Sequence, residues 1–144
     1  MENVQEIITN LKLLHSHVQL QPETRFDLQR FKKEKECGTC FCTAGLAACI
    51  PEFQSMGLQI YEQDEMFYVS FNGVDVWESS GIEKVFGQEC FGNLFEIRDA
   101  GYLDEQHLKW NGDMWELDES ITDKQLALWR LERQIEIYEG KLLK

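Results

Sequence analysis

The hydrophobic period changes twice along this chain of 144 residues, and that change limits the possible folds more than any other feature. Near the start, Val4, Ile7, Ile8, Leu11, Leu14 and Val18 recur at intervals of three and four, which specifies a helix with one buried face. Asn3 with Glu6 supplies its cap, and Pro22 marks its exit. Near the end, Thr122 and Gln125 form a capping box ahead of Leu128, Leu131, Ile135, Tyr138 and Leu142, with Trp129 broadening the apolar face. Gly140, Lys141 and Lys144 suit the C-terminus of that helix. After Pro51 the period falls to two, in Leu58 and Ile60, in Phe67, Val69 and Phe71, and onward through Val74, Val76 and Trp77. Asn72-Gly73 between two of these runs is the signature of a type I′ hairpin turn, and Gln63-Asp64 suits the turn before it. The expectation is an α+β, mainly helical single domain over residues 1–144, with a small antiparallel meander in the middle and a long C-terminal helix. The seam of that last helix fits either the first helix or a second copy of itself, so a homodimer through residues 122–142 is one reading.

This length is enough to bury a core without staples, and an apolar fraction of 43% argues against disorder. No apolar run approaches the roughly 20 residues of a membrane helix, and Met1-Glu2-Asn3 does not open a signal peptide. Five cysteines without an export signal fit thiols in a reducing cytoplasm.

Four of those cysteines fall in Cys37-Gly-Thr-Cys40-Phe-Cys42-Thr-Ala-Gly-Leu-Ala-Ala-Cys49. Leu46, Ala47, Ala48 and Ile50 favour helix, so a short buried helix is expected from about Cys40 to Ile50, capped by the Gly38-Thr39 turn and stopped by Pro51. Ala44, Gly45, Ala47 and Ala48 would let a neighbour approach it closely. The simplest reading makes Cys37, Cys42 and Cys49 small buried hydrophobes. A second gives Cys37, Cys40 and Cys42 a redox or metal-binding role, although no strand-helix-strand unit precedes the C-x-x-C and no second ligand pair accompanies it. A third places a small anion, such as a nucleotide, at the Gly38-Thr39 helix N-terminus with help from Arg25 and Arg30.

Arg25-Phe26-Asp27-Leu28, Phe31 and Cys37-Gly38-Thr39 with Cys42, Ala44-Gly45 and Ala47 form a pattern of their own. It resembles a motif of small uncharacterised bacteriophage and bacterial proteins: Phe-Asp-Met, an aromatic, then Cys-Gly-Thr-x-x-Cys-x-Ala-Gly-x-Ala. The likeness covers about residues 25–48, with a looser echo in Leu94-Phe95 and in a closing helix that ends near Gly140. The family usually carries an aliphatic residue where this chain has Cys40, and Trp where it has Phe31. A general redox pair through Cys40 is therefore not implied. The resemblance implies a phage origin and a fold, and attaches no activity.

Formal net charge is −12, carried by the middle of the chain. Residues 51–120 hold sixteen acidic side chains against Lys84, Arg98 and Lys109, a formal charge of −13. Such a field repels phosphate backbones and membrane surfaces and attracts basic proteins, although an acidic surface also serves solubility alone. Ser80-Gly81-Ile82-Glu83 reads as a capping box opening a short helix that Gly87 closes. Cys90, Phe91, Leu94 and Phe95 make an apolar cluster, Asp99-Ala-Gly101 a turn, and residues 104–110 a further short helix. His15 and His17 belong at the surface or boundary of the first helix, and Lys32, Lys33 and Lys35 in a solvated loop.

No phosphate loop, nucleophile elbow or H-E-x-x-H is present, so the chain reads as a non-enzyme with no implied cofactor. The leading expectation is a phage-type protein of the host bacterial cytoplasm that binds and inhibits or redirects a host protein, plausibly one of defence, through an acidic surface. Its candidate contact residues are Trp110, Asp113, Met114, Trp115, Glu116 and Asp118, since tryptophan and methionine among carboxylates match the make-up of binding hot spots. The partner is a protein with a basic face, and nucleic acid is disfavoured.

Overall fold

The computed structural model describes residues 3–22, 32–35, 38–64, 66–76, 81–95, 108–110, 112, 115–117 and 121–143; between 32 and 41 and between 108 and 117 it gives the course and pairing of the backbone. It is a mainly helical α+β fold with an antiparallel three-stranded sheet in the middle and a long C-terminal helix, as the periodicity predicts.

Helix α1 spans Val4–Leu20, and Asn3 Oδ1 accepts the Glu6 N–H at 3.1 Å to cap it. Helix α5 spans Asp123–Leu142 behind the full capping box: Gln125 N–H donates to Thr122 Oγ1 at 3.1 Å, and Thr122 N–H donates to Gln125 Oε1 at 2.9 Å. The two helices form the principal packing of the molecule and run antiparallel. Lys12 meets Glu139 at 3.6 Å, His15 meets Glu132 at 3.2 Å, and Lys124 Nζ donates to Gln19 O at 2.9 Å, so rising numbers on one helix meet falling numbers on the other. The last of these bonds also satisfies a main-chain carbonyl that the end of α1 would leave open. Ile7, Leu11, Leu14 and Val18 are wholly buried, each contributing about 1.5–3 kcal/mol relative to exposure. His15 and His17 are half-buried, at the boundary where their spacing places them.

The buried stripe of α5 includes Leu131 and Tyr138 of the predicted apolar seam, with Leu128, Trp129 and Ile135 packed at its margin, but it also takes in polar residues. Leu126, Ala127, Arg130, Leu131, Gln134 and Tyr138 face inward, whereas Leu128 and Ile135 are half-buried and Leu142 is exposed. Two polar residues inside a core require partners. Gln134 Oε1 accepts from Asn93 Nδ2 at 2.9 Å, and Gln134 Nε2 donates to the carbonyls of Phe86 at 3.2 Å and Gln88 at 3.3 Å. Tyr138 Oη accepts the Gln88 N–H at 2.7 Å, and Asn10 of α1 donates from Nδ2 to Val85 O at 3.0 Å. Both terminal helices thus grip one short segment, residues 85–88.

That segment closes helix α4, Glu83–Phe86. Ile82 stands at its N-cap without a side-chain bond, so the helix opens later than the Ser80 capping box predicts; Ser80 lies outside the described residues. Gly87 ends it as expected, at φ +96°. The apolar cluster that follows is a π-helical turn, Phe91–Phe95, with Cys90, Leu94 and Phe95 buried. Phe86 joins Phe53 and Phe95 edge-on, at centroid separations of 4.9 and 5.3 Å, the arrangement that ring quadrupoles favour.

The cysteine-rich stretch departs most from expectation. Gly38–Phe41 is strand β2, antiparallel to β1, Lys32–Lys35, with Lys33 opposite Cys40 and Glu34 opposite Thr39. The lysine cluster is therefore strand and not loop, and Thr39, Cys40 and Phe41 follow their β preference. Helix α2 is only Thr43–Ala47, with Cys42 at its N-cap, the thiol accepting the Gly45 N–H at 3.4 Å. Pro51 does not stop that helix but opens the next, α3, Pro51–Ser55, at the first position, where its missing N–H costs nothing. Ala44, Gly45, Ala47 and Ala48 are buried as their small size predicts.

Strands β3, Leu58–Gln63, β4, Met66–Phe71, and β5, Val74–Asp75, form the meander in the order β3-β4-β5. Positive φ at both Asn72 and Gly73 makes the expected turn, and Asp64 turns the first hairpin at φ 53°. Leu58, Val69 and Phe71 put one face into the core, while Tyr61 and Tyr68, opposite each other, stack outside at 5.6 Å. The Asp104–Trp110 region is not helical at its end: β6, Leu108–Trp110, pairs with β7, Trp115–Leu117.

A Cβ on Gly87 would lie 2.5 Å from Tyr138 Cε2 and 2.8 Å from Gln134 Nε2, whereas one on Gly140 meets nothing within 4 Å. Gly87→Ala should therefore cost about 2–4 kcal/mol, from overpacking and from the positive φ. Gly140→Ala should instead stabilise by up to about 1 kcal/mol through helix propensity. Urea unfolding of both variants measures the contrast.

Candidate functional site

Of the residues predicted to contact a partner, the structure describes Trp110 in β6 and Trp115 and Glu116 in β7. Asp113, Met114 and Asp118 lie outside the described residues. The register sets Trp110 opposite Trp115, Lys109 opposite Glu116 and Leu108 opposite Leu117. The tryptophans, five apart in sequence, thus become direct cross-strand neighbours, a pairing that the loop reading did not foresee. Gly112 sits exposed between the strands at φ +107°, with nothing near its Cα to crowd a turn.

The anion site predicted at Gly38 and Thr39 does not form as a helix N-terminus. Both residues lie within β2, and the helix begins only at Thr43, behind Cys42. Arg25 and Arg30 lie outside the described residues. A strand presents its N–H groups alternately to its partner and away from it, not converging as a helix end does, which removes the physical basis of that reading.

Cys37 also lies outside the described residues, and Cys40 pairs across the hairpin with Lys33. Cys42 is buried and caps α2, and Cys90 is buried beside the π-helical turn. Cys49 is exposed, which corrects its reading as a packing residue: it follows α2 in a turn that faces outward. Among the described residues no three histidine, cysteine or carboxylate side chains come together as a metal site.

Electrostatically, five carboxylates in the described part of the acidic segment are uncompensated. Glu52, Glu62, Asp64 and Glu89 are exposed and Glu83 is half-buried, and among the described residues none of these carboxylates meets a cation. Ion pairs gather instead on α1 and α5, where Lys12 and Arg133 hold Glu139 and Glu136, and His15 Nε2 lies 3.2 Å from Glu132 Oε2. Lys12, His15, Glu132, Glu136 and Glu139 line a groove of about 330 Å³ between the two helices, and each of them is engaged with a neighbouring side chain. A second hollow, of about 460 Å³, lies between the N-terminus of α1 and α4, bordered by Glu6, Met56, Glu83, Lys84 and Gln88. Neither brings together a nucleophile and a base.

No family model, curated protein or solved structure matches the chain.

Exposure separates the cysteines into classes that alkylation can read. Cys49 should react with iodoacetamide in the native protein, while Cys42 and Cys90 should react only after unfolding; peptide mass spectrometry locates the modified sites.

Proposed function

We propose that this chain is an acidic interaction protein whose middle segment captures a protein partner through a basic face. The observation that carries the reading is the formal charge of −13 over residues 51–120, together with the unpaired carboxylates of Glu52, Glu62, Asp64, Glu83 and Glu89. Charges left without internal partners do little for stability, and they raise encounter rates with an oppositely charged surface. The Trp110–Trp115 pair sets two large aromatic residues side by side on a hairpin within the same segment, which supports its use as the anchoring contact. The motif over residues 25–48 supports a phage-type setting, in which the partner is a host protein, plausibly of defence, that the chain inhibits or redirects.

Capture from bacterial lysate at low and high salt identifies the partner, and surface kinetics then test the reading. Replacing Asp113, Glu116 and Asp118 by their amides should slow association and flatten its salt dependence. Trp115→Ala should instead speed dissociation, by about tenfold or more if it removes a hot spot of 2 kcal/mol. Unchanged binding in the amide variant, together with a loss of about 3–5 kcal/mol of folding stability in Trp115→Ala, would make the hairpin structural and overturn its role.

A further inference from the structure

Strand β3 ends the central sheet, and its pairing with β4 shows which way its main chain points. Asn72 N–H donates to Gly57 O at 2.9 Å, and the register runs without interruption from Leu58 opposite Phe71 to Gln63 opposite Met66. In an antiparallel ladder hydrogen-bonded and non-hydrogen-bonded pairs alternate, so Gln59, Tyr61 and Gln63 turn their N–H and C=O groups to β4. Leu58, Ile60 and Glu62 turn theirs away from the sheet. The Val76 N–H to Val69 O bond, 3.1 Å, fixes the same alternation on the other side of β4. Among the described residues nothing pairs with the outward edge, and none of residues 58–63 makes a further hydrogen bond or ion pair. Gln59, Tyr61, Glu62 and Gln63 are all exposed.

Folded proteins blunt such edges with lysine, proline, a bulge or a covering element. Strand β3 has no lysine, no proline and no bulge. Its own stretch of sequence is of one sign: from Pro51 to Glu83 the chain has no lysine or arginine, and seven acidic residues, Glu62 and Asp64 among them, while the lysine-bearing β1 approaches the neighbouring strand β4. Two copies joined edge to edge would set Glu62 of one strand beside the same acidic stretch of the other. A partner strand bearing lysine or arginine would satisfy both the main-chain groups and the charge.

We propose that the free edge of β3 receives an extended, lysine- or arginine-bearing segment of a partner protein as a fourth strand, held by the main-chain groups of Ile60 and Glu62 and by the acidic flank. This rests on the reading of the partner as basic, but it uses a contact separate from the tryptophan hairpin.

The test is an NMR titration of the full chain with a short peptide alternating valine and lysine, a copy N-methylated at alternate residues, and a copy alternating valine and glutamate. The lysine peptide should bind and slow the water exchange of the Ile60 and Glu62 amides. N-methylation, glutamate in place of lysine, or Glu62→Pro in the protein should each weaken binding by about tenfold or more. Proline at position 62 removes an outward N–H and no ladder bond, and Glu62→Lys, which keeps the backbone and reverses the charge, gives the same reading if the proline variant does not fold. Trp115→Ala should leave the peptide affinity unchanged, so failure here is distinct from failure of the hairpin contact. Equal binding of the N-methylated peptide would reduce the site to charge alone. Ile60 and Glu62 amides already protected in the free protein would assign the edge to a second copy if protection rises with concentration, and to this chain itself if it does not. Each of these results, or no binding by the lysine peptide, overturns the proposal.

Discussion

The fold depends on the grip that α1 and α5 exert on residues 85–88. An antiparallel helix pair alone can slide and rotate, because leucine-rich faces are nearly interchangeable in register. Gln134 and Tyr138 of α5 and Asn10 of α1 remove that freedom by bonding to four main-chain groups of one short turn. The buried carbonyls of Val85 and Phe86, left without a partner, would each cost about 1–3 kcal/mol, so the correct register is favoured by the penalty on every other. Gly87 belongs to the same device. It lets the chain turn at positive φ and lets the Tyr138 ring lie against the backbone. From that turn the Phe86 ring reaches both Phe53 and Phe95, and so ties the helix pair to α3 and the π-helical segment.

The elements legible in the sequence were those specified by local chemistry. Asn3, Thr122 with Gln125, and Asn72-Gly73 each carry out a task their side chain or φ preference can do almost regardless of the rest of the fold, and the structure uses all of them as expected. The inward face of α5 is legible at Leu131 and Tyr138 but not at Gln134, which is buried because its hydrogen-bond partners lie in other elements. An apolar pattern ranks such a residue as surface and favours Leu142, which the structure leaves exposed. The cysteine stretch misled for a related reason. Small residues are compatible with helix, but the β preference of Thr39 to Phe41 and the pairing offered by Lys32–Lys35 outweigh them until Cys42 supplies a cap.

Function follows from what the fold leaves over. Lys12 and Arg133 on α1 and α5 are matched to nearby carboxylates, whereas Glu52, Glu62, Asp64, Glu83 and Glu89 of the middle segment meet no cation among the described residues. The same segment contributes a strand edge that is unpaired among the described residues and a hairpin that pairs two tryptophans. The strands divide the candidate residues of the sequence. Trp110, Trp115 and Glu116 come together on one hairpin, while Gly38 and Thr39 are absorbed into a strand.

The dependence on the α5 grip is tested most directly by equilibrium urea unfolding of Gln134→Met, which keeps the length and bulk of the side chain and removes its hydrogen bonds. With Asn93 Nδ2 and the carbonyls of Phe86 and Gln88 deprived of their partner, the loss should be about 2–4 kcal/mol, with the secondary structure of the folded state retained. A Gln134→Met protein as stable as the parent would show that apolar packing alone sets the register of the two helices, and would contradict this account.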